Sequence, residues 1–187
     1  MQVKLDKSVD VPASANQTWE FVQDIPRLAE CLPGARITEK IDDRHYNGSV
    51  TVKLGPITAS FNGKIEVKGL DPQQRQLQLL GSGTDATGAS TASMSLTAVV
   101  RDKGADHCEL LGKSDISVSG KIANFGGRMM TQVSDQILNQ FADNLRRRVG
   151  STAEAAETPS AESKPLNALA LFWRVLLDAV AGLFRRK

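Results

Sequence analysis

Apolar side chains recur at every second position along most of residues 46–118, which is the period of a β-strand with one buried face. The intervening positions are mainly polar, so the pattern predicts an antiparallel sheet with one buried and one solvated face. Four stretches place the following residues on the inward face: Tyr46, Gly48, Val50, Val52 and Leu54; Ile57, Ala59, Phe61, Gly63, Ile65 and Val67; Ala92, Met94, Leu96, Ala98 and Val100; and Leu110, Gly112, Ser114, Ile116 and Val118.

A helical period follows the strands, with apolar residues at every third or fourth position over about seven turns. Arg146, Arg147 and Arg148 lie near its end, where positive charge suits the helix dipole. The pattern predicts a long amphipathic helix that covers the buried face of the sheet. Its apolar stripe consists of Ile122, Phe125, Met129, Val133, Ile137, Phe141 and Leu145.

Two short helices are predicted between an N-terminal strand, about residues 2–11, and the remaining strands. Ser14 is a capping residue for the first helix, and Pro33 and Gly34 end the second. The order of elements predicts an α+β fold in residues 1–149, with a curved antiparallel sheet of about seven strands around a long C-terminal helix.

Two further segments follow this domain. Residues 150–164, "GSTAEAAETPSAESK", contain no large apolar side chain and are predicted to be a flexible linker. Residues 165–187, "PLNALALFWRVLLDAVAGLFRRK", are predicted to form an amphipathic helix that associates with a membrane.

The polar residues of this last segment decide among three arrangements: lying on a membrane, spanning it, or packing on a protein. Arg174 and Asp178 fall on one narrow stripe of the helix. At the bilayer centre each would cost about 2.5 to 3.5 kcal/mol, which favours a helix at the membrane surface. The predicted membrane contacts are Leu169, Phe172, Trp173, Leu176, Leu183 and Phe184, with Arg185, Arg186 and Lys187 on anionic lipid.

Composition narrows the class of function. The 187 residues carry a net charge of +2 and only 5% are aromatic, which argues against a nucleic-acid-binding surface. The start of the chain, "MQVKLDKSVDV", has no apolar run of signal-peptide type, so the domain is expected in the cytoplasm. Cys31 and Cys108 match no metal or redox motif and are expected to be reduced structural thiols.

The inward face is unusual in its small residues, among them Gly48, Gly63 and Gly112. Because protein interiors hold few voids, either large side chains of the long helix fill this space or sheet and helix enclose an apolar ligand cavity. The residues predicted to line such a cavity are Tyr46, Val50, Val52, Ala59, Phe61, Gly63, Ile65, Met94, Leu96, Gly112, Ser114, Phe125, Met129, Met130 and Val133.

No catalytic or metal-binding constellation is predicted. His45 is expected on the outward face, His107 lies in a hairpin, and most carboxylates fall in turns or at outward positions. The glycines of "GSGTDATGAS" fit a hairpin turn rather than a phosphate-binding loop.

Three stretches, "CLPGA" (residues 31–35), "KLGPITASFNGKIEV" (residues 53–67) and "ANFGGRMM" (residues 123–130), resemble the family of carbon monoxide dehydrogenase G subunits. The order of elements resembles the helix-grip fold of START and Bet v 1 type lipid-binding proteins. The resemblance covers residues 1 to about 149. The residues matched to the family pattern are Leu32, Pro33, Gly34, Gly55, Pro56, Phe61, Gly63, Lys64, Phe125, Gly126 and Arg128.

The resemblance implies a non-catalytic partner of a molybdenum hydroxylase such as carbon monoxide dehydrogenase. Such a partner recruits the enzyme to the inner face of the cytoplasmic membrane, or links it electronically through a bound quinone. No covalent cofactor is expected, and an isoprenoid quinone or another lipid is the expected ligand. Anionic membrane lipids are an expected partner and nucleic acid is not.

Two alternatives stay open. The first is a recruitment or assembly factor without a ligand. The second is an enzyme of the polyketide cyclase kind, for which Tyr46, Ser90 and Ser114 are the few inward polar groups available.

Overall fold

Strands and helices follow one another in the predicted order in the computed structural model, which describes residues 1–54, 57–125 and 127–156. Met1–Glu154 form one compact unit. The elements are β1 (Gln2–Val11), α1 (Ala15–Val22), α2 (Ile25–Ala29), β2 (Ala35–Lys40), β3 (His45–Leu54), β4 (Ile57–Asp71), β5 (Gln76–Asp85), β6 (Ser90–Gly104), β7 (His107–Gly120), a 3-10 turn (Lys121–Phe125) and α3 (Gly127–Ala156).

The seven strands form one antiparallel sheet in the order β1-β7-β6-β5-β4-β3-β2. The register brings inward positions together, since Tyr46 pairs with Ile65 and Gly48 with Gly63. The predicted α+β helix-grip architecture is confirmed. We call the inward side of the sheet, which α3 covers, the concave face, and the solvated side the outer face.

Local signals in the sequence set the two short helices. The Ser14 hydroxyl accepts a hydrogen bond from the backbone N–H of Gln17 at 3.3 Å, and the Gln17 side chain accepts one from the backbone N–H of Ser14 at 3.2 Å. Asp24 caps α2 in the same way, accepting from the backbone N–H of Arg27 at 3.1 Å. Gly34 then turns the chain into β2 with a φ of +79°, a conformation that favours glycine.

The buried apolar residues form two separate clusters. The main core lies around α1, α2 and the C-terminal part of α3, and it includes Trp19, Val22, Leu77 and Leu145. The small core lies at the opposite end of the sheet, beside the 3-10 turn. It is formed by Ala59, Val118 and Ile122, with partly buried Val52, Phe61, Met130 and Val133 among the side chains packed on it.

Helix α3 is held differently along its length. In residues 141–149, which we call the anchored half, Leu145 is 0% exposed and Val149 is 1% exposed. In residues 127–140, the open half, the apolar side chains Met129, Met130, Val133 and Ile137 are only half-buried.

Polar contacts follow the same division. The side chains of Asn144, Arg146 and Arg148 tie the anchored half to α2 and to the end of β1. Their partners are the Cys31 carbonyl oxygen at 2.9 Å, the Asp10 carbonyl oxygen at 2.8 Å and the Glu30 carboxylate at 2.6 Å, respectively.

The end of α3 differs from the expected linker boundary. The helix continues to Ala156, so the first residues of the segment 150–164 are helical. The run "AEAA" at residues 153–156 explains this extension, because alanine and glutamate are strong helix formers. The rest of the predicted linker and the predicted amphipathic helix, residues 165–187, lie outside the described residues. Within the described residues, no helix has the length and apolar content required to cross a membrane.

Truncation of Leu145 tests how strongly the anchored half holds the fold. We expect Leu145→Ala to lower the free energy of unfolding by about 2 to 5 kcal/mol, because it leaves a cavity at a site with no exposure. Urea denaturation measures this change. Asn139→Ala, at an exposed position of the same helix, is the control and should change stability by less than about 0.5 kcal/mol. Equal effects of the two substitutions would contradict the anchoring role.

Candidate functional site

The middle of the concave face is lined by small residues from neighbouring strands. Gly48, Gly63, Gly83 and Ala92 lie side by side in register, and Val118 completes the row. The next row contains Gly81 paired with Met94. The centre of the sheet therefore presents little side-chain volume to α3.

Most of the predicted cavity residues fall into one of the two cores. Tyr46, Ile65 and Leu96 belong to or pack on the main core. Val52, Ala59, Phe61, Met130 and Val133 belong to or pack on the small core. The side chain of Phe125 lies outside the described part of the structure.

The remaining predicted residues lie in neither core. Val50, Gly63, Met94, Gly112 and Ser114 are all half-buried on the concave face. Together with Gly81 they form what we call the central concave face. Met129, on the open half of α3, is also half-buried and outside both cores. The strands thus bring part of the predicted set together between the two cores.

The glycines of this surface are not equivalent. A Cβ atom on Gly63 would collide with the Ser82 carbonyl oxygen of the adjacent strand, so Gly63 permits a close approach of two backbones. A Cβ atom on Gly81 would only touch the Met94 methyl at 3.7 Å, and one on Gly112 would meet Leu96 at 4.0 Å. Gly81 and Gly112 therefore leave usable space, whereas Gly63 serves the sheet itself.

Gly81 and Gly83 correct the prediction of a hairpin turn at "GSGTDATGAS". Both lie inside β5, which runs to Asp85, and only Gly88 has the positive φ of a turn residue, at +73°. The inward alternation of Leu77 and Leu79 continues through them. Extending that two-residue period would have found them from the sequence.

The polar groups expected on the inward side are mostly engaged in the fold. The Tyr46 hydroxyl donates to the Asp43 carbonyl oxygen at 3.3 Å, and the Ser90 hydroxyl accepts from the backbone N–H of Ile122 at 3.1 Å. Ser114 is half-buried on the central concave face.

One charged pair on the concave face was not predicted from the sequence. Lys7 of β1 and Asp135 of α3 form an ion pair, with 2.9 Å between Nζ and Oδ1. Lys7 occupies the same alternating phase as Val3, Leu5 and Val9, which are the inward positions of β1. The two-residue alternation of β1 could therefore have placed Lys7 on the concave face, whereas nothing in the sequence indicates its contact with Asp135.

The histidines lie away from this surface. His45 is on the outer face, and its Nδ1 lies 2.8 Å from Asp42 Oδ2. A hydrogen bond from the backbone N–H of Arg44, and then the His45 ring, lower the pKa of Asp42. His107 is exposed, 3.7 Å from Asp10. No group of three or more possible metal ligands occurs among the described residues.

An open depression of about 450 Å³ lies on the outer face, opposite to the predicted cavity. Apart from two glycines and one alanine, the residues that line it have polar or charged side chains, so it does not correspond to the apolar site predicted from the sequence. The side chains that line it are Asn62, Lys64, Ser82, Thr84, Thr91, Ser93, Ser117 and Ser119, above Gly63, Gly83 and Ala92.

The residues matched to the family pattern occupy several places. Leu32, Pro33 and Gly34 follow α2, directly after the Cys31 carbonyl that binds Asn144. Phe61 packs on the small core, and Lys64 is exposed on the outer face. Gly55, Pro56 and Gly126, and the side chain of Arg128, lie outside the described residues.

The glycine assignments predict opposite effects of two alanine substitutions. We expect Gly63→Ala to destabilise the protein by about 1 to 3 kcal/mol, because its methyl group collides with backbone. Gly81→Ala meets only ordinary contacts and should raise stability by about 0.5 to 1 kcal/mol, through the lower conformational entropy of the unfolded chain. Urea denaturation of the two variants compares them, and equal changes would refute the distinction.

The two thiols are predicted to be unreactive in the folded protein. Cys31 and Cys108 are free and 0% exposed, and burial raises the pKa of both thiols. A raised pKa lowers the fraction of reactive thiolate at pH 8. Reaction with Ellman's reagent should be at least about tenfold slower in buffer than in denaturing urea. A thiol that reacts equally fast in both conditions would contradict the burial.

Comparison with known proteins relates the chain to a known family. The sequence profile of the carbon monoxide dehydrogenase G subunit (CoxG) matches residues 8–150. No curated protein sequence matches the chain.

Solved structures share the fold. A conserved protein from Geobacillus kaustophilus has a TM-score of 0.72 and 18% identity, covering 80% of this chain and 97% of that one. The ZhuI aromatase/cyclase from Streptomyces sp. R1128 has a TM-score of 0.62 and 16% identity, covering 84% and 99%. A START superfamily protein from Mycobacterium smegmatis has a TM-score of 0.56 and 18% identity, covering 80% and 98%. The profile match spans most of the chain, which therefore belongs to the CoxG family of carbon monoxide dehydrogenase G subunits.

Proposed function

We propose that the protein is a non-catalytic accessory subunit of a molybdenum hydroxylase of the carbon monoxide dehydrogenase type. In this role it binds an apolar molecule, such as an isoprenoid quinone or another lipid, between the central concave face and the open half of α3. It recruits the enzyme to the inner face of the cytoplasmic membrane, or it passes electrons from the enzyme to the membrane through the bound quinone. Family membership supports the accessory role.

One observation carries the ligand part of this proposal. Between the main and small cores, the concave face has small or half-buried residues, and the half-buried apolar side chains Met129 and Ile137 lie on the part of α3 that has few core contacts. Apolar surface left incompletely packed is unfavourable in water, and its burial by an apolar ligand contributes about 25 cal/mol per Å². Methionine side chains suit such a site because they adapt to ligand shape.

The contacts of the polar side chains near the concave face favour ligand binding over catalysis. Tyr46 and Ser90 are engaged in structural hydrogen bonds, and His45 lies on the other face of the sheet. Acid-base catalysis requires a positioned proton donor or acceptor with a suitable pKa. The ZhuI aromatase/cyclase shares the fold, so a cyclase-like enzyme is the competing function, since one fold hosts many activities.

The membrane part of the proposal depends on residues 165–187, outside the described structure. Their apolar surface and the cationic end, Arg185, Arg186 and Lys187, suit a helix in the headgroup region of an anionic membrane. The segment 157–164 would connect this helix to α3 and place the domain near the cytoplasmic surface.

Ligand extraction tests the central claim. Protein purified from a bacterium that makes isoprenoid quinones should release a quinone or lipid in near-stoichiometric amount on solvent extraction, measured by mass spectrometry. Gly112→Leu should lower the recovered amount about tenfold, because the new side chain occupies the central concave face. Ser95→Leu, an exposed residue of the neighbouring strand, is the control and should retain the ligand.

Absence of any extracted quinone or lipid would reject the ligand claim. If a molybdenum hydroxylase still co-purified with the Gly112→Leu variant, the protein would be a recruitment factor that needs no ligand. Turnover of a polyketide substrate would instead favour the cyclase.

Vesicle flotation tests the membrane claim. The full chain should float with vesicles that contain anionic phospholipid, and deletion of residues 165–187 should abolish flotation, because it removes the apolar face and the terminal cations. High salt or carbonate should release the protein. Resistance to both treatments would contradict a helix at the membrane surface.

A further inference from the structure

We propose that the ion pair between Lys7 and Asp135 is a latch that holds the open half of α3 against the edge of the sheet. Breaking the pair opens the concave face to molecules from outside. The use of this latch to admit an apolar ligand rests on the proposed function, whereas the latch itself is a property of the ligand-free fold.

The position of Lys7 in the sheet is the first argument. β1 is an edge strand, paired with β7 alone, so no further strand closes the space between β1 and α3. Lys7 is the charged member of the inward phase of β1, and its register partner is Gly112 of the central concave face. The Lys7 side chain therefore reaches from the edge strand to Asp135 of α3, beside a glycine that adds no side chain of its own.

The second argument is the uneven attachment of α3. Three side chains tie the anchored half to α2 and β1. Among the side chains that the structure describes, Lys7–Asp135 is the only hydrogen bond or ion pair that joins residues 127–140 to the sheet. Loss of this pair leaves the open half with its apolar contacts to the small core, while the anchored half stays fixed as a hinge.

The strength of the pair suits reversible opening. The side chains of Lys7 and Asp135 are 49% and 43% exposed, so water and salt compete with the contact. Exposed pairs of this kind shift an equilibrium by about two- to fivefold. A pair of this size biases α3 toward the closed position without preventing its opening.

A cysteine placed under the helix reports the opening directly. Ser114→Cys is close to isosteric, and Ser114 pairs with Leu5, two residues from Lys7 on the same strand. The native thiols are 0% exposed and give a slow background. The rate at which a bulky maleimide modifies the introduced thiol in the full chain then measures access to the concave face.

Removing either partner should accelerate modification. In the Ser114→Cys background we expect Lys7→Met and Asp135→Asn each to raise the rate about two- to fivefold. High salt should raise the rate of the parent by a similar factor and leave the Lys7→Met variant unchanged. The exchanged pair Lys7→Asp with Asp135→Lys should restore most of the parent rate.

The chain offers a matched control on the adjacent residue. Asp6 of β1 and Lys113 of β7 form an ion pair of 3.4 Å on the outer face. Asp6→Asn breaks this pair without touching α3, so it should leave the modification rate unchanged. A second reporter, Ser95→Cys on the outer face, should react at a rate that does not depend on Lys7.

The outcomes separate the latch from the ligand proposal. Equal rates in the parent, Lys7→Met and Asp6→Asn proteins would overturn the latch. Faster modification of the buried native thiols Cys31 and Cys108 as well would also overturn it, because the change would then be general unfolding. If Lys7→Met opens the concave face but the neutral fluorescent probe N-phenyl-1-naphthylamine binds to neither the parent nor the variant, the latch stands and the apolar ligand site fails.

Discussion

The arrangement of this domain depends on the packing of one end of α3 against the main core. Leu145 and Val149 are almost fully buried there, and three polar side chains tie the same stretch to α2 and β1. Because this end is fixed and a helix is stiff over this length, the rest of α3 stays above the sheet and can move only about the anchored half. The open half then lies over a surface of small residues that its own side chains only partly cover.

Glycine has two distinct roles in that surface. Gly63 is required where β4 and β5 approach closely, since any side chain there would collide with the Ser82 carbonyl. Gly81 and Gly112 have space around the position of a missing side chain. The small residues of the sheet are thus partly a requirement of strand packing and partly a source of space in front of α3, and only the second group is available to the proposed ligand.

The two faces of the sheet differ in chemistry. The outer face carries hydroxyl and amide groups around an open depression. The concave face is mainly apolar, with Tyr46, Ser90 and Ser114 among its polar side chains and the Lys7–Asp135 pair at its edge. The proposed apolar ligand requires the second kind of surface, whereas the outer face presents polar groups to solvent.

The sequence by itself determined the strand phases, the helix caps, the order of elements and the family, because these follow from local periodicity, local hydrogen bonds and short motifs. It placed Met94, Gly112 and Ser114 on the inward face correctly, but it assigned Gly81 and Gly83 to a turn. Only the tertiary structure decided that Tyr46 belongs to the main core and that Gly63 accommodates backbone. It also brought Lys7 and Asp135 together. These outcomes depend on distances between segments far apart in the chain, which no local pattern contains.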